Sequence, residues 1–357
     1  MSRPARGGWI EILCRRGMSV LFSCPVPQGA GGLKWLCLRL GLRCLRPVPQ
    51  GAGGLKRETY RYKDTKTKRT EYRKAIEITI AFVVCYNNLV LRNLHIKGAI
   101  VIMIASYHNH TWRCHHADGT EREYVENAIS AGLKILGFSD HTPQVYPGGF
   151  ICPVKMEPKD LEGYVDTILD LKREYKDDID IRLGLEVEYL YTLWEPLLRL
   201  LEPYPIEYMI LGQHYLGNGV NAPFCGMRSD SVQRLRDYCK QTREALETGK
   251  FLYFAHPDVI WYTGPADIYE EEMTALCRYC KEIEMPLEIN LLGVREDRNY
   301  PCESFWKIVA REGNTVIYGA DAHHADHVYS PEVIAKADRF AERCRIPRDR
   351  IVDVLES

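Results

Sequence analysis

From Met103 onward, short apolar runs alternate with longer stretches in which apolar positions recur every three or four residues. That is the pattern of strands exchanging with amphipathic helices. Seven runs read as strands: Ile104–Tyr107, Ile135–Phe138, Ile181–Val187, Tyr208–Gly212, Phe251–Phe254, Leu287–Ile289 and Thr315–Tyr318. Between them the spacing predicts helices over Glu121–Ala131, Lys159–Tyr175, Ser231–Thr248, Ile268–Glu284 and Glu303–Glu312, with Gly132, Gly249 and Gly313 placed to end three of them in left-handed caps. Strand and helix in alternation imply parallel strands joined by crossover helices. Seven such units in about 255 residues suit a barrel better than an open sheet.

The first hundred residues lack this pattern. They carry the decapeptide PVPQGAGGLK twice, at Pro25–Lys34 and Pro47–Lys56, and two copies fall short of the roughly three that a solenoid needs. Residues 1–102 hold 19 Lys and Arg against 5 Asp and Glu, whereas 103–357 hold 28 against 43, so the net charge of −1 hides two unlike segments. A basic arm for nucleic acid or anionic membrane is one reading. The reading adopted is an irregular, poorly ordered extension reflecting a gene start placed too far upstream of Met103, and no function is assigned to it. The best apolar run, Ile78–Tyr86, is about half the roughly 18 residues of a membrane span. Thirteen cysteines at scattered spacings, with no clean signal sequence, fit a reducing cytoplasm rather than a disulfide framework.

Ten of the eleven histidines lie after residue 102. They cluster just past the strand candidates, where the loops of a parallel barrel converge on one mouth. His108-Asn109-His110 follows the first, Asp140-His141 the second, and Glu186 and Glu188 close the third. His214 follows the fourth, His256 the fifth, Asn290 and then Arg295 the sixth, and Asp321-Ala322-His323 the seventh. His108 and His110, two apart on extended chain, project to one side and can grip one cation. Imidazole and carboxylate together favour zinc, manganese or iron over calcium or magnesium, and so many donors suggest two or three ions sharing a bridging carboxylate. Cys277 and Cys280 form a CxxC without a second pair and read as helix cysteines.

The strings YHNHTWRCHHADG, GFSDHTP, GLEVEY, LGQHYL, FAHPDVI, LEINLLGVR and YGADAHH are spread in order along the segment, from Tyr107 to His324. In that order they resemble the PHP family, named for its polymerase and histidinol phosphatase members, and most closely its monofunctional histidinol-phosphatases. The resemblance implies a distorted TIM-like (β/α)7 barrel of the PHP type and a trinuclear site. His108, His110, Glu186 and Asp321 would hold the first ion, and Glu186 would bridge to a second completed by His214 and His256. His116, His141 and His323 would hold the third. His116 is preferred to His115 because it lies six residues after His110, while Glu188 matches an acidic position of phosphatase members and otherwise reads as a solvated carboxylate or one that supports a metal ligand from behind. Arg295, in GVRED, matches a phosphate-binding arginine.

Clustered cations acidify water, bind phosphoryl oxygens and offset transition-state charge, which suits phosphate-ester cleavage. The expected reaction is hydrolysis of L-histidinol phosphate, in histidine biosynthesis, by in-line attack of a metal-bridging hydroxide. Asp321, His323 and Glu186 are the expected catalytic residues and Arg295 the substrate-binding one. Trp112, Tyr146, Tyr189 and Tyr215 are placed to cradle an imidazole ring. Alternatives are a PHP phosphatase for another small phosphoester or for phosphotyrosine, and a catalytically silent metal-binding domain. The partner implied is a small phosphorylated substrate; the acidic balance of 103–357 speaks against nucleic acid, and nothing in it points to a membrane or sets an oligomeric state.

Overall fold

The computed structural model describes residues 8–13, 19–24, 103–218, 220 and 222–353, and the chain divides into two units, Met1–Ala99 and Ile100–Ser357. In the first, β1 (Gly8–Leu13) pairs antiparallel with β2 (Ser19–Cys24), Gly8 opposite Cys24 and Leu13 opposite Ser19. This ribbon corrects the reading of the segment as irregular throughout. Pairing of two short strands rests on backbone hydrogen bonds, which composition does not report. The repeated decapeptide, the basic run and the expectation of poor order fall outside the described residues.

The second unit is an α/β fold built on a curled parallel sheet. One run of strands is β3 (Ala105–Ser106), β4 (Ile135–His141), β5 (Asp180–Val187) and β6 (Tyr208–Leu211), in that order. A second is β7 (Leu287–Asn290), β8 (Val316–Gly319) and β9 (Ile351–Val352). All neighbours within these runs are parallel. Single parallel bridges link them: Phe254 pairs with both Leu211 and Leu287, and Asn109 pairs with Ala322.

The fifth strand candidate, Phe251–Phe254, is therefore reduced to one bridging residue. The chain leaves the sheet at once, because His256 takes a left-handed φ of 30° and Pro257 follows it with no amide to donate.

Helices α1 (Glu121–Ala131), α2 (Leu161–Glu174), α3 (Trp194–Leu201), α4 (Val232–Glu247), α5 (Ala266–Glu282), α6 (Leu291–Glu296), α7 (Glu303–Glu312) and α8 (Pro331–Cys344) connect these strands. Local chemistry sets their starts. Thr120 Oγ1 accepts from the Glu123 amide at 3.3 Å while Glu123 Oε2 accepts from the Thr120 amide at 2.7 Å, a capping box that begins α1. Ser231 and Ser330 cap α4 and α8 in the same way, on one side only. Helices α3, α6 and α8 were not anticipated, nor was β9.

The strands bury both faces, as parallel strands covered by helices must. Residues 135–140 of β4 and Val187, Leu185, Leu183 and Ile181 of β5 are all buried. Inside the curl, the Tyr208 hydroxyl donates to the Tyr107 carbonyl at 2.6 Å and lies 3.1 Å from that of Phe138, tying β6 to the exits of β3 and β4. Tyr208→Phe would leave a buried carbonyl without its donor. It is expected to lower unfolding free energy by about 1–3 kcal/mol, read by urea denaturation, without altering the folded circular dichroism spectrum.

Candidate metal centre

The C-terminal ends of the strands deliver their polar residues to one edge, and there a single carboxylate sits among five imidazoles. Glu186, the seventh residue of β5, is buried. Its Oε1 lies 2.8 Å from His256 Nε2, 3.5 Å from His214 Nε2 and 3.5 Å from His108 Nε2. Its Oε2 faces His141 Nδ1 at 2.8 Å and His110 Nε2 at 3.7 Å. Asp321 Oδ1 closes the arrangement, 3.1 Å from His110 Nε2 and 3.5 Å from His108 Nε2. Room for Glu186 exists because position 212 is glycine: a Cβ there would collide with its side chain.

His116 and His323 stand beside this group with their Nε2 atoms 3.0 Å apart. His116 Nδ1 lies 2.7 Å from the Cys114 carbonyl and His323 Nδ1 3.1 Å from that of Asp321. A carbonyl only accepts, so both rings carry their proton on Nδ1 and turn an Nε2 lone pair toward the other. No proton is available between them. Two facing lone pairs are favourable only when a cation receives both, and His141 has a ring atom within 4.8 Å of each of them.

Several of the buried atoms without hydrogen-bond partners among the described residues belong to this cluster: both His110 nitrogens, His108 Nε2, His256 Nδ1 and Glu186 Oε2. Buried polar groups are almost always satisfied, and nitrogen and carboxylate donors at these separations suit divalent ions of the zinc and manganese type. Among the described residues, His108, His110 and Glu186 form one group, and His116, His141 and His323 another. Further combinations share members with these: His108, His256 and Asp321; and His141, Glu186 and His214. His256 and Asp321 also hold φ values of 30° and 48°, a region that non-glycine residues avoid.

A scan against protein-family models matches the PHP domain over residues 106–291. The chain belongs to the PHP family. It is 30% identical over 251 residues to a probable histidinol-phosphatase of Deinococcus radiodurans, covering 68% of this chain and 92% of that one. To a histidinol-phosphatase of Bacillus subtilis it is 31% identical over 147 residues, 39% of this chain and 50% of that one. Among solved structures, a histidinol phosphate phosphatase of Lactococcus lactis, crystallised with zinc, L-histidinol and phosphate, superposes with a TM-score of 0.55 at 20% identity. That match covers 72% of this chain and all of the other, and it establishes the shared fold.

Within this PHP fold, sequence reasoning passed over Glu288. It is wholly buried, and its Oε2 lies 2.8 Å from His108 Nδ1. Its Oε1 accepts from Asn290 Nδ2 at 2.7 Å, and the same amide group donates to Asp321 Oδ2 at 2.9 Å. Gly319 makes space for the Glu288 carboxylate as Gly212 does for Glu186. The available signal was its place in Leu-Glu-Ile-Asn, where polar residues alternate with apolar ones on a strand buried on both faces. Asp140 acts on the other ring: Oδ1 lies 3.5 Å from His110 Nδ1 and accepts from the His141 amide at 2.8 Å, while Oδ2 accepts from the Thr111 hydroxyl. Cys114, likewise unforeseen, groups with His110 and His323.

Two candidates stand apart from the cluster. His115 is exposed in a left-handed turn. Arg295, in the last turn of α6, is half-buried and makes no hydrogen bond or ion pair within the described residues.

Electrostatics divide the imidazoles. Burial opposes charge on His108, yet Glu288, Asp321 and Glu186 raise its pKa well above the usual value. Against the same burial, Asp140 and Asp321 bring His110 up to about 9. Burial, with His110 nearby, pushes His323 down to about 3, and burial also lowers His116 and His141. Glu186 and Asp321 stay ionised: burial disfavours their charge, but the surrounding imidazoles outweigh it and hold both well below the carboxylate range.

Protons therefore occupy His108 and His110 at neutral pH when divalent ions are absent. Loading with Mn²⁺ or Zn²⁺ is expected to release protons at pH 7, measurable with an indicator dye, and affinity should climb as pH rises toward 9. An affinity flat from pH 7 to 9 would show that these rings do not receive the ions. Glu288→Gln is expected to weaken binding of one ion by about 10–100-fold in chelator competition.

Proposed function

We propose that this protein hydrolyses L-histidinol phosphate to L-histidinol and inorganic phosphate with the help of two or three divalent ions. The observation that carries the reading is the shared carboxylate Glu186, flanked by imidazoles on both oxygens and backed by the His116–His323 pair. Support for the substrate comes from the names of the relatives: 92% of the Deinococcus radiodurans protein is matched.

His108, His110, Glu186 and Asp321 would hold one ion, Glu186, His214 and His256 a second, and His116, His141 and His323 a third. When bound, such ions acidify water and offset charge on the phosphoryl oxygens. Glu186 would tie the donor sets together, because its two oxygens lie among imidazoles of all three. Asp321, ionised at neutral pH, accepts the proton of the attacking water and returns it to the alkoxide oxygen of departing histidinol. The new P–O bond forms from that water as the ester P–O bond breaks, so neither oxidant nor phosphoenzyme is required. His323 stays neutral and keeps its lone pair. Arg295, without a hydrogen-bond or ion-pair partner among the described residues, is suited to capture the phosphoryl oxygens with two parallel N–H bonds.

The finer architecture belongs to this reading. The bridges at Phe254 and between Asn109 and Ala322 support a distorted seven-unit barrel. Residues 103–357 would be the phosphatase unit, and no function is assigned to 1–102. No helix among the described residues is long and apolar enough to cross a membrane. The eight described cysteines are free, which supports a cytoplasmic setting.

Phosphate release from L-histidinol phosphate should require Mn²⁺ or Zn²⁺, disappear with EDTA and exceed that from sugar phosphates, nucleotides and phosphotyrosine peptides. Asp321→Asn is expected to lower kcat by about 10²–10⁴-fold. Arg295→Ala should raise KM by at least about tenfold with a smaller change in kcat. Preference for phosphotyrosine peptides would replace the substrate, and folded, metal-loaded protein without turnover would leave a silent binding domain.

A further inference from the structure

We propose that Lys155 is a positioning residue for the metal centre, acting through Glu188 on His214. The inference rests on the reading of His214 as a ligand. Lys155 lies in the segment between β4 and α2 and is 3% exposed; its Nζ donates to Glu188 Oε2 at 2.6 Å. Glu188, also 3% exposed, accepts from His214 Nδ1 with its other oxygen at 2.9 Å. The remaining ring nitrogen, His214 Nε2, lies 3.5 Å from Glu186 Oε1.

Each link constrains the next. An ammonium can only donate, so its contact fixes Glu188 Oε2 as an acceptor and sets the tilt of the carboxylate. An ionised carboxylate can only accept, so it holds the His214 proton on Nδ1 and frees Nε2 as a lone pair. A lysine serving only to pin its segment to the end of β5 would need one carboxylate oxygen. Here both oxygens are used, and the second reaches the imidazole. Without Lys155, the Glu188 carboxylate would lose the contact that sets its orientation, and Oε1 would no longer be held opposite His214 Nδ1. The ring would then be free to turn Nε2 away from Glu186 Oε1.

The test is metal content by inductively coupled plasma mass spectrometry on full-length protein dialysed in chelator-buffered Mn²⁺, with circular dichroism as the check on folding. Lys155→Met is expected to weaken one ion by about 10–100-fold and leave the others at wild-type occupancy. Lys155→Arg, which keeps the donor and charge, should restore most of that ion. Lys159→Met, removing an exposed lysine paired with Glu157, should change nothing. Wild-type stoichiometry and affinity in folded Lys155→Met would overturn the proposal. If that variant does not fold, the double variant Lys155→Met/Glu188→Gln removes both charges together. Its glutamine can either donate to or accept from His214, so the same ion should be weakened, and wild-type affinity would again overturn the proposal. Wild-type protein that binds no divalent ion would instead sink the metal-centre reading, and this one with it.

Discussion

Everything at the candidate site depends on keeping one buried carboxylate ionised. Removing Glu186 from water costs several kcal/mol after relaxation, and this is offset only if positive charge or donors meet both oxygens. The protein meets them with five imidazoles from four places along the chain, and the same need explains the surrounding design. Asp321 shares His108 and His110 with Glu186, and Glu288 and Asp140 each address the far side of one of those rings. Charge on the carboxylates and proton placement on the imidazoles are thus a single coupled problem. Divalent cations solve it more completely than protons do, because one ion can satisfy three or four of these groups at once.

The fold contributes position rather than chemistry. Parallel strands bring all their exits to one edge, so residues as distant in sequence as His110 and His323 meet without any long reaching side chain. Close approach then depends on what is missing. Glycine at 212 and 319 removes the Cβ atoms that would occupy the space of Glu186 and Glu288. The strained φ values of His256 and Asp321 carry the rest, turning two side chains back toward the cluster at a cost of about 1–3 kcal/mol each.

Much of this was legible in the sequence. Six of seven apolar runs became strands, α1 and α7 have the expected limits, and every histidine named as a ligand lies in the cluster. What escaped has physical reasons. Phe251–Phe254 has the composition of a strand, but a left-handed residue and a proline end it after one bridge, and backbone reversal of that kind leaves little trace in hydropathy. Helix α6 is six residues long, too short for periodicity to register. Helix α8 carried a start signal in Ser330-Pro331 that went unused because no strand candidate followed it. Glu288 was hidden by its setting, since a lone acid in an apolar run reads as an interruption until its histidine, 180 positions earlier, is seen beside it.

The bridge between Asn109 and Ala322 has a bearing on how such a molecule is made. Those two residues flank His108 and His110 on one side and Asp321 and His323 on the other, so the earliest and latest donors become neighbours only after nearly the whole unit has been synthesised. During translation the emerging polypeptide would hold incomplete donor sets of low affinity. Tight capture of ions would then mark a finished molecule, making metal uptake a checkpoint on assembly as well as a preparation for chemistry.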